Sequence, residues 1–157
     1  MNMTTLLVAL PFFAAAFAAA ASGAFFDVGG AWYQGLAAPS FRPPAWVFGP
    51  VWTVLYLMIA AAGTRLALAS GGGATVAACI GLWALQMVLN ALWTPVFFGA
   101  HDLRGAFAVI LCLLVSIALL AALAWRVDRI AALLLLPYLG WVSFAAVLNG
   151  AFWQLNR

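Results

Sequence analysis

The chain has 157 residues, of which 69% are hydrophobic, 15% aromatic and only 6% charged, and its mean hydropathy is +1.17. A soluble domain carries about 25% charged residues and a disordered chain combines low hydrophobicity with high charge, so both are excluded and an integral membrane protein remains. The net charge of +3 arises from six arginines against three aspartates; the arginines are scattered at the ends of apolar runs, as membrane-flanking residues are, and do not form a nucleic-acid patch.

Five apolar runs, at roughly 4–26, 46–69, 75–98, 105–125 and 130–153, each approach the about 20 residues that a helix needs to cross hydrocarbon. None alternates with a period of two, which excludes a transmembrane barrel, and backbone groups in lipid must bond within their own segment, which makes the runs helices. The fold class is therefore an all-α membrane protein. It is a single domain, a bundle of five transmembrane helices with a long, partly ordered first loop. Five spans put the termini on opposite sides. The six arginines divide evenly between the two sides, so the positive-inside rule gives no orientation. An Ala- and Gly-rich chain that uses arginine and no lysine points to a GC-rich, bacterial genome.

In chain order, the first run lacks a basic leader and exceeds the apolar length of a secretory signal, so it is expected to be a retained span. The segment 27–45 holds Trp32, Tyr33, Pro39, Phe41, Pro43 and Pro44. That is too much aromatic surface for an exposed linker, and the segment is expected to fold back as a lid. The second run starts on the lid side, with Trp52 about 9 Å deep and Tyr56 one turn deeper. Gly71-Gly72-Gly73 reads as a turn. The third run returns to the lid side and places Asn90 about 12 Å and Trp93 about 8 Å inside its end. Gln86, Asn90 and Thr94 recur at i, i+4 and i+8 and share one face. Such a face points into the bundle, either as interhelical glue or as part of a site.

His101 and Asp102, in the next break, read as a solvated turn. The fourth run contains Cys112, and residues 126–129 separate it from the fifth. There Pro137 should loosen the helix, and Trp141, Ala145, Leu148 and Phe152 fall on one face. A tryptophan at mid-span is not explained by the interfacial aromatic belt. Trp52, Asn90, Trp93, Trp141 and Ala145 thus reach the same half of the membrane, beneath the lid. Aromatic packing alone would account for the tryptophans. Their coincidence with a small residue, polar groups and a lid favours an apolar cavity with a few polar anchors, the usual form of a small-molecule site.

Several chemistries are missing. Asp27, Asp102, Asp128 and His101 all fall in breaks, which argues against a proton-coupled pump. No carboxylate pair and no Ser/His or Cys/His pair serves catalysis. Cys79 and Cys112 lie in apolar runs and form neither a disulfide framework nor a metal site. No cofactor and no metal is expected.

Three stretches resemble one family. Trp46-Val47-Phe48-Gly49-Pro50-Val51-Trp52-Thr53 after Pro43-Pro44 resembles its PPxWVFxxxWT motif. Asn90-Ala91-Leu92-Trp93-Thr94-Pro95-Val96-Phe97-Phe98 resembles NxxWTPxFF. Pro137-Tyr138-Leu139-Gly140-Trp141 with Leu148-Asn149 resembles PYLxWxxxAxxLN. The family is TspO/MBR, the tryptophan-rich sensory proteins related to the mitochondrial translocator protein. The resemblance spans essentially the whole chain. It implies a five-helix bundle that binds porphyrins and, in animal members, cholesterol and benzodiazepine-type drugs. It also implies a homodimer and a role in tetrapyrrole transport or regulation, with light-dependent porphyrin breakdown as a reported activity.

By motif position the resemblance implies ligand-binding roles for Trp52, Asn90, Trp93, Trp141 and Ala145, for Tyr33 and Pro44 from the loop, and for Gly23 and Cys112 further out. The animal cholesterol pattern needs a tyrosine where this chain reads Val147-Leu148-Asn149-Gly150-Ala151-Phe152, with Arg157 beyond, which argues against cholesterol. Arg42 is expected to snorkel to lipid headgroups, with a porphyrin carboxylate as its alternative partner. A tetrapyrrole-binding membrane protein is the leading reading. A facilitated transporter and a photo-oxidative porphyrin-degrading enzyme are its rivals. For assembly, Ala77 and Gly81 form a small-xxx-small pair on the third span, and Ala15, Ala19 and Gly23 offer a rival on the first.

Overall fold

The computed structural model describes residues 3–69 and 73–157. Gly71 and Gly72 of the expected glycine turn lie outside the described residues, and Gly73 opens a helix at φ +40°. Helix α1 (Met3–Ala21) is extended by a 3₁₀ turn (Ser22–Phe25). A short helix α2 (Ala31–Gly35) precedes α3 (Ala45–Leu68). Then come α4 (Gly73–Thr94) with a single π turn (Pro95–Gly99), α5 (Leu103–Val127) and α6 (Arg129–Leu155). No strand occurs among the described residues. Among the described residues, five helices are long and apolar enough to cross a membrane: Met3–Phe25, Ala45–Leu68, Gly73–Gly99, Leu103–Val127 and Arg129–Leu155.

These helices are hydrophobic all round, as lipid-immersed helices are. Leu7, Phe17, Val54, Val88, Val115 and Val147 project outward. Hydroxyls that would be costly in hydrocarbon turn back on their own helix. Thr64 Oγ1 donates to the Ala60 carbonyl at 2.8 Å and Ser116 Oγ to Leu113 at 2.7 Å, which satisfies them locally. Around the bundle the neighbours run α1, α3, α6, α5, α4 and back to α1.

Three joints fix this arrangement. Asp128 is the single residue between α5 and α6. Its N–H donates to Ala124 O at 2.8 Å, its carboxylate accepts from Ala131 N at 2.9 Å, and Arg65 of α3 pairs with it at 2.8 Å. Partial desolvation opposes ionisation, but these bonds and the Arg65 charge outweigh it and hold the carboxyl below its ordinary value. Gly63 is the second joint: a Cβ there would overlap the Phe12 ring and the Trp83 indole. That indole donates to Ile59 O at 2.9 Å, so α1, α3 and α4 meet closely at one point. The third is the π turn. Pro95 has no N–H to give, the α-helix stops at Thr94, and Ala100 N reaches Pro95 O at 2.8 Å. The turn drives Phe97 into the core at 1% exposure.

Residues 26–44 connect the first two spans and lie across the end of the bundle. Trp32 of α2 stacks on His101 with centroids 4.0 Å apart at 9°. Tyr33 packs on Phe98 at 5.5 Å and Phe152 at 5.4 Å. Asn156, just past α6, accepts from Ala37 N at 2.9 Å and donates to Ala37 O at 3.0 Å. The His101-Asp102 pair is therefore more than a solvated turn. His101, at φ 54°, holds the lid, and Asp102 caps α5 by accepting from Gly105 N at 2.8 Å.

Candidate functional site

The two halves of the bundle differ in filling. Toward the N-terminal side the interior is solid: Ile59, Leu66, Ile117, Leu120 and Leu135 have no exposure at all. Toward the lid the interior is hollow, with a cavity of about 1140 Å³. Ligand pockets usually hold about 300–1,000 Å³, so this one has room for a large flat molecule.

Eight of the nine positions named from the sequence come together here: Gly23, Tyr33, Pro44, Trp52, Asn90, Trp93, Trp141 and Ala145 all line the cavity. Cys112 does not. It is exposed on the outer face of α5, which turns Ile110 and Leu113 inward instead. Position 112 lies about 100° around the helix from 113, so its thiol faces lipid and the expectation of a binding role is corrected.

The cavity floor is polar. Tyr56 OH donates to Asn90 Oδ1 at 2.6 Å, Asn90 Nδ2 donates to Tyr138 OH at 3.0 Å, and Tyr138 OH donates to Gln86 Oε1 at 2.8 Å. Gln86 Nε2 ends the chain on Trp83 O at 2.9 Å. Glue and lining are thus the same residue: Asn90 ties α3, α4 and α6 together and still faces the cavity. Trp52 stacks on Tyr56 at 5.3 Å. Higher up, Trp93 Nε1 donates to Asn149 Oδ1 at 3.0 Å, and Asn149 Nδ2 donates to Leu103 O at 3.0 Å. Tyr56, Tyr138 and Asn149 were not singled out as site residues from sequence. Their signals were a polar atom in an apolar run and, for Tyr138 and Asn149, a place in the third motif.

Trp141 lies against Phe48 and Phe144 at 5.8 and 5.6 Å, and its buried Nε1 has no hydrogen-bond partner among the described residues. Leaving such a group unpaired costs about 1–3 kcal/mol. The same indole borders an outer groove of about 520 Å³ between α3 and α6, lined by Pro50 and Pro137 among others. That groove opens to the membrane and is apolar, whereas the inner cavity is the one with polar anchors.

Among the described residues Arg42 is the single charged side chain lining the cavity. It is exposed and sits 5.6 Å over the Tyr33 ring at the mouth. Burial raises the Tyr33 phenol above its ordinary value, and the Arg42 charge works against that rise. Among the described residues no carboxylate and no histidine lines the cavity.

Comparison with known proteins gives one family. The model of the TspO/MBR family matches residues 7–154. The chain is 37% identical over 145 residues to protein CrtK of Rhodobacter capsulatus, covering 92% of this chain and 90% of that one. It is 37% identical over 156 residues to a tryptophan-rich sensory protein of Cereibacter sphaeroides, covering 99% and 95%. With the human translocator protein the identity is 43% over 129 residues, covering 80% and 75%.

Proposed function

The chain belongs to the TspO/MBR family of multi-pass membrane proteins, and on that premise we propose that it binds tetrapyrroles of the porphyrin type and acts in their transport or regulation. The observation that carries this reading is the hollow, aromatic half of the bundle. A flat apolar macrocycle needs broad ring surfaces and few hydrogen-bonding groups, and Trp52, Trp93 and Trp141 with the Tyr56–Asn90 pair offer that set. The close packing of Ile59, Leu66, Ile117, Leu120 and Leu135 in the N-terminal half supports a binding protein over an open pore.

Protoporphyrin is the probe. It should quench tryptophan fluorescence saturably, and Trp52→Phe and Trp141→Phe should each weaken quenching or affinity. Wild-type quenching and affinity in both variants would place the ligand elsewhere. A second reading is photo-oxidative breakdown of the ligand, favoured by two electron-rich indoles, Trp52 and Trp141, on one cavity. Illumination with and without oxygen separates it from binding alone: oxygen-dependent bleaching that needs both indoles supports breakdown.

The functional unit in this proposal is a homodimer joined through α4. Ala74, Ala77, Gly81 and Ala84 lie on its exposed face, where small residues permit close helix approach. The rival on α1 is weaker, since Ala19 is already buried inside the protomer at 5% exposure and Gly23 lines the cavity.

A further inference from the structure

We propose that Arg42 makes this cavity selective for apolar ligands that carry a carboxylate, by pairing with that group at the mouth. The proposal rests on the tetrapyrrole reading and deepens it by naming the charged group that orients the ligand.

The cavity is electrically one-sided. Its floor is neutral, made of Tyr56, Asn90 and Trp52, and its one charge is the Arg42 guanidinium at the lid. Arg42 is held in place from two directions. Its backbone N–H donates to Pro39 O at 3.1 Å, closing a tight turn, and Pro43 follows with a fixed φ. Its side chain rests on Tyr33, and Tyr33 is itself wedged against Phe97, Phe98 and Phe152. A cation–π contact uses the charge of the guanidinium and consumes none of its N–H groups. Among the described residues no carboxylate pairs with Arg42; the ion pair of the chain is Arg65 with Asp128, at the other end of the bundle. A planar fork of donors, pre-positioned and unpaired beside an apolar cavity, matches a carboxylate in two-point geometry.

The ligand class follows from where the polarity lies. An apolar body fills the aromatic interior, neutral polar atoms meet Asn90 and Tyr56, and the anionic end stays at the mouth. There the anion keeps part of its hydration, so desolvation costs little. The same partial hydration limits the gain, and the expected preference for acid over ester is about three- to tenfold.

The test is a cycle on the full chain in zwitterionic lipid nanodiscs. Protoporphyrin and its dimethyl ester are each titrated against wild type, Arg42→Gln, Arg42→Lys and Arg104→Gln. Taking the acid-to-ester affinity ratio between variants cancels the greater partition of the ester into lipid. The ratio should fall about three- to tenfold in Arg42→Gln, with ester affinity unchanged, and should fall by less in Arg42→Lys, which keeps the charge and loses the two-point fork. Arg104 lies on the same side of the bundle and outside the cavity lining, so Arg104→Gln should leave the ratio at the wild-type value. A ratio equal in wild type and Arg42→Gln, or one that falls equally in Arg104→Gln, overturns the role of Arg42 while leaving porphyrin binding intact. Failure of wild type to bind either compound overturns the tetrapyrrole reading and this inference together.

Discussion

Ala145 faces the cavity one helical turn beyond Trp141, and a threonine there takes up ligand space and presses α6 outward where it meets the cavity wall. Ala145→Thr should therefore fold and yet weaken porphyrin binding. It should also loosen the lid, because Phe41 rests on Phe144 at 6.4 Å and Asn156 holds Ala37, so a shift of α6 is passed on. Ligand titration and limited proteolysis near Gly29-Gly30, run in parallel in one lipid, check this. Unchanged affinity with unchanged cleavage refutes it. Asp128 supports a prediction about acid. Its carboxyl titrates below the ordinary value in the folded protein, so its contribution to stability is complete above about pH 4. That contribution is lost as pH falls through the depressed folded value. The thermal midpoint in detergent should drop across that window in wild type and follow a flatter course in Asp128→Asn. Identical profiles would show that the carboxylate does not couple folding to pH.

At the scale of the helices, Gly63 sets how closely α1, α3 and α4 approach. Gly63→Ala should cost about 1–3 kcal/mol by overpacking against Phe12 and Trp83. Gly140, with nothing within 4 Å of its Cβ position, is the control: Gly140→Ala should match or slightly raise the thermal midpoint through helix propensity. Equal midpoints in both variants would mean the crossing has slack.

The helices themselves were legible in the sequence because a membrane fixes their length and lipid forbids unpaired backbone. Their rotations were legible only where a polar or outsized residue marked a face. Asn90, Trp52 and Trp141 did so on α4, α3 and α6. Cys112 on α5 was named by motif position alone, which carries no side-chain direction, and the helix turns it outward. Short helix α2, the π turn after Thr94 and the Trp32–His101 stack escaped for another reason. Each depends on contacts between distant segments that local spacing does not encode.

The whole molecule presents lipid with a surface dominated by large apolar side chains, interrupted by exposed alanines on α1 and, from Ala74 to Ala84, by small residues along α4. There a run of alanine and glycine leaves a shallow face, and a Cβ on Gly81 meets nothing within 4 Å in the protomer. Gly81→Leu is thus sterically free in one chain and obstructive only between two. It should convert a dimer to a monomer in mild detergent, read by light scattering, without lowering helical content. A wild-type protein that is monomeric in lipid contradicts the assembly outright. Indoles at both ends mark the span of the bundle: Trp125 beneath Arg129 at 5.7 Å and Trp153 beneath Arg157 at 5.2 Å. They are placed as interfacial anchors are.

The single-residue link at Asp128 has a mechanical consequence. It joins α5 and α6 rigidly at one end and is itself tied to α3 through Arg65, so it acts as a fulcrum. At about 1.5 Å per residue, Phe152 lies about 36 Å along the lever arm from it. A tilt of about 5° at the fulcrum then carries the far end of α6 through about 3 Å, close to the thickness of an aromatic ring. The hollow half thus lies where angular play is magnified most, and the solid half where it is smallest.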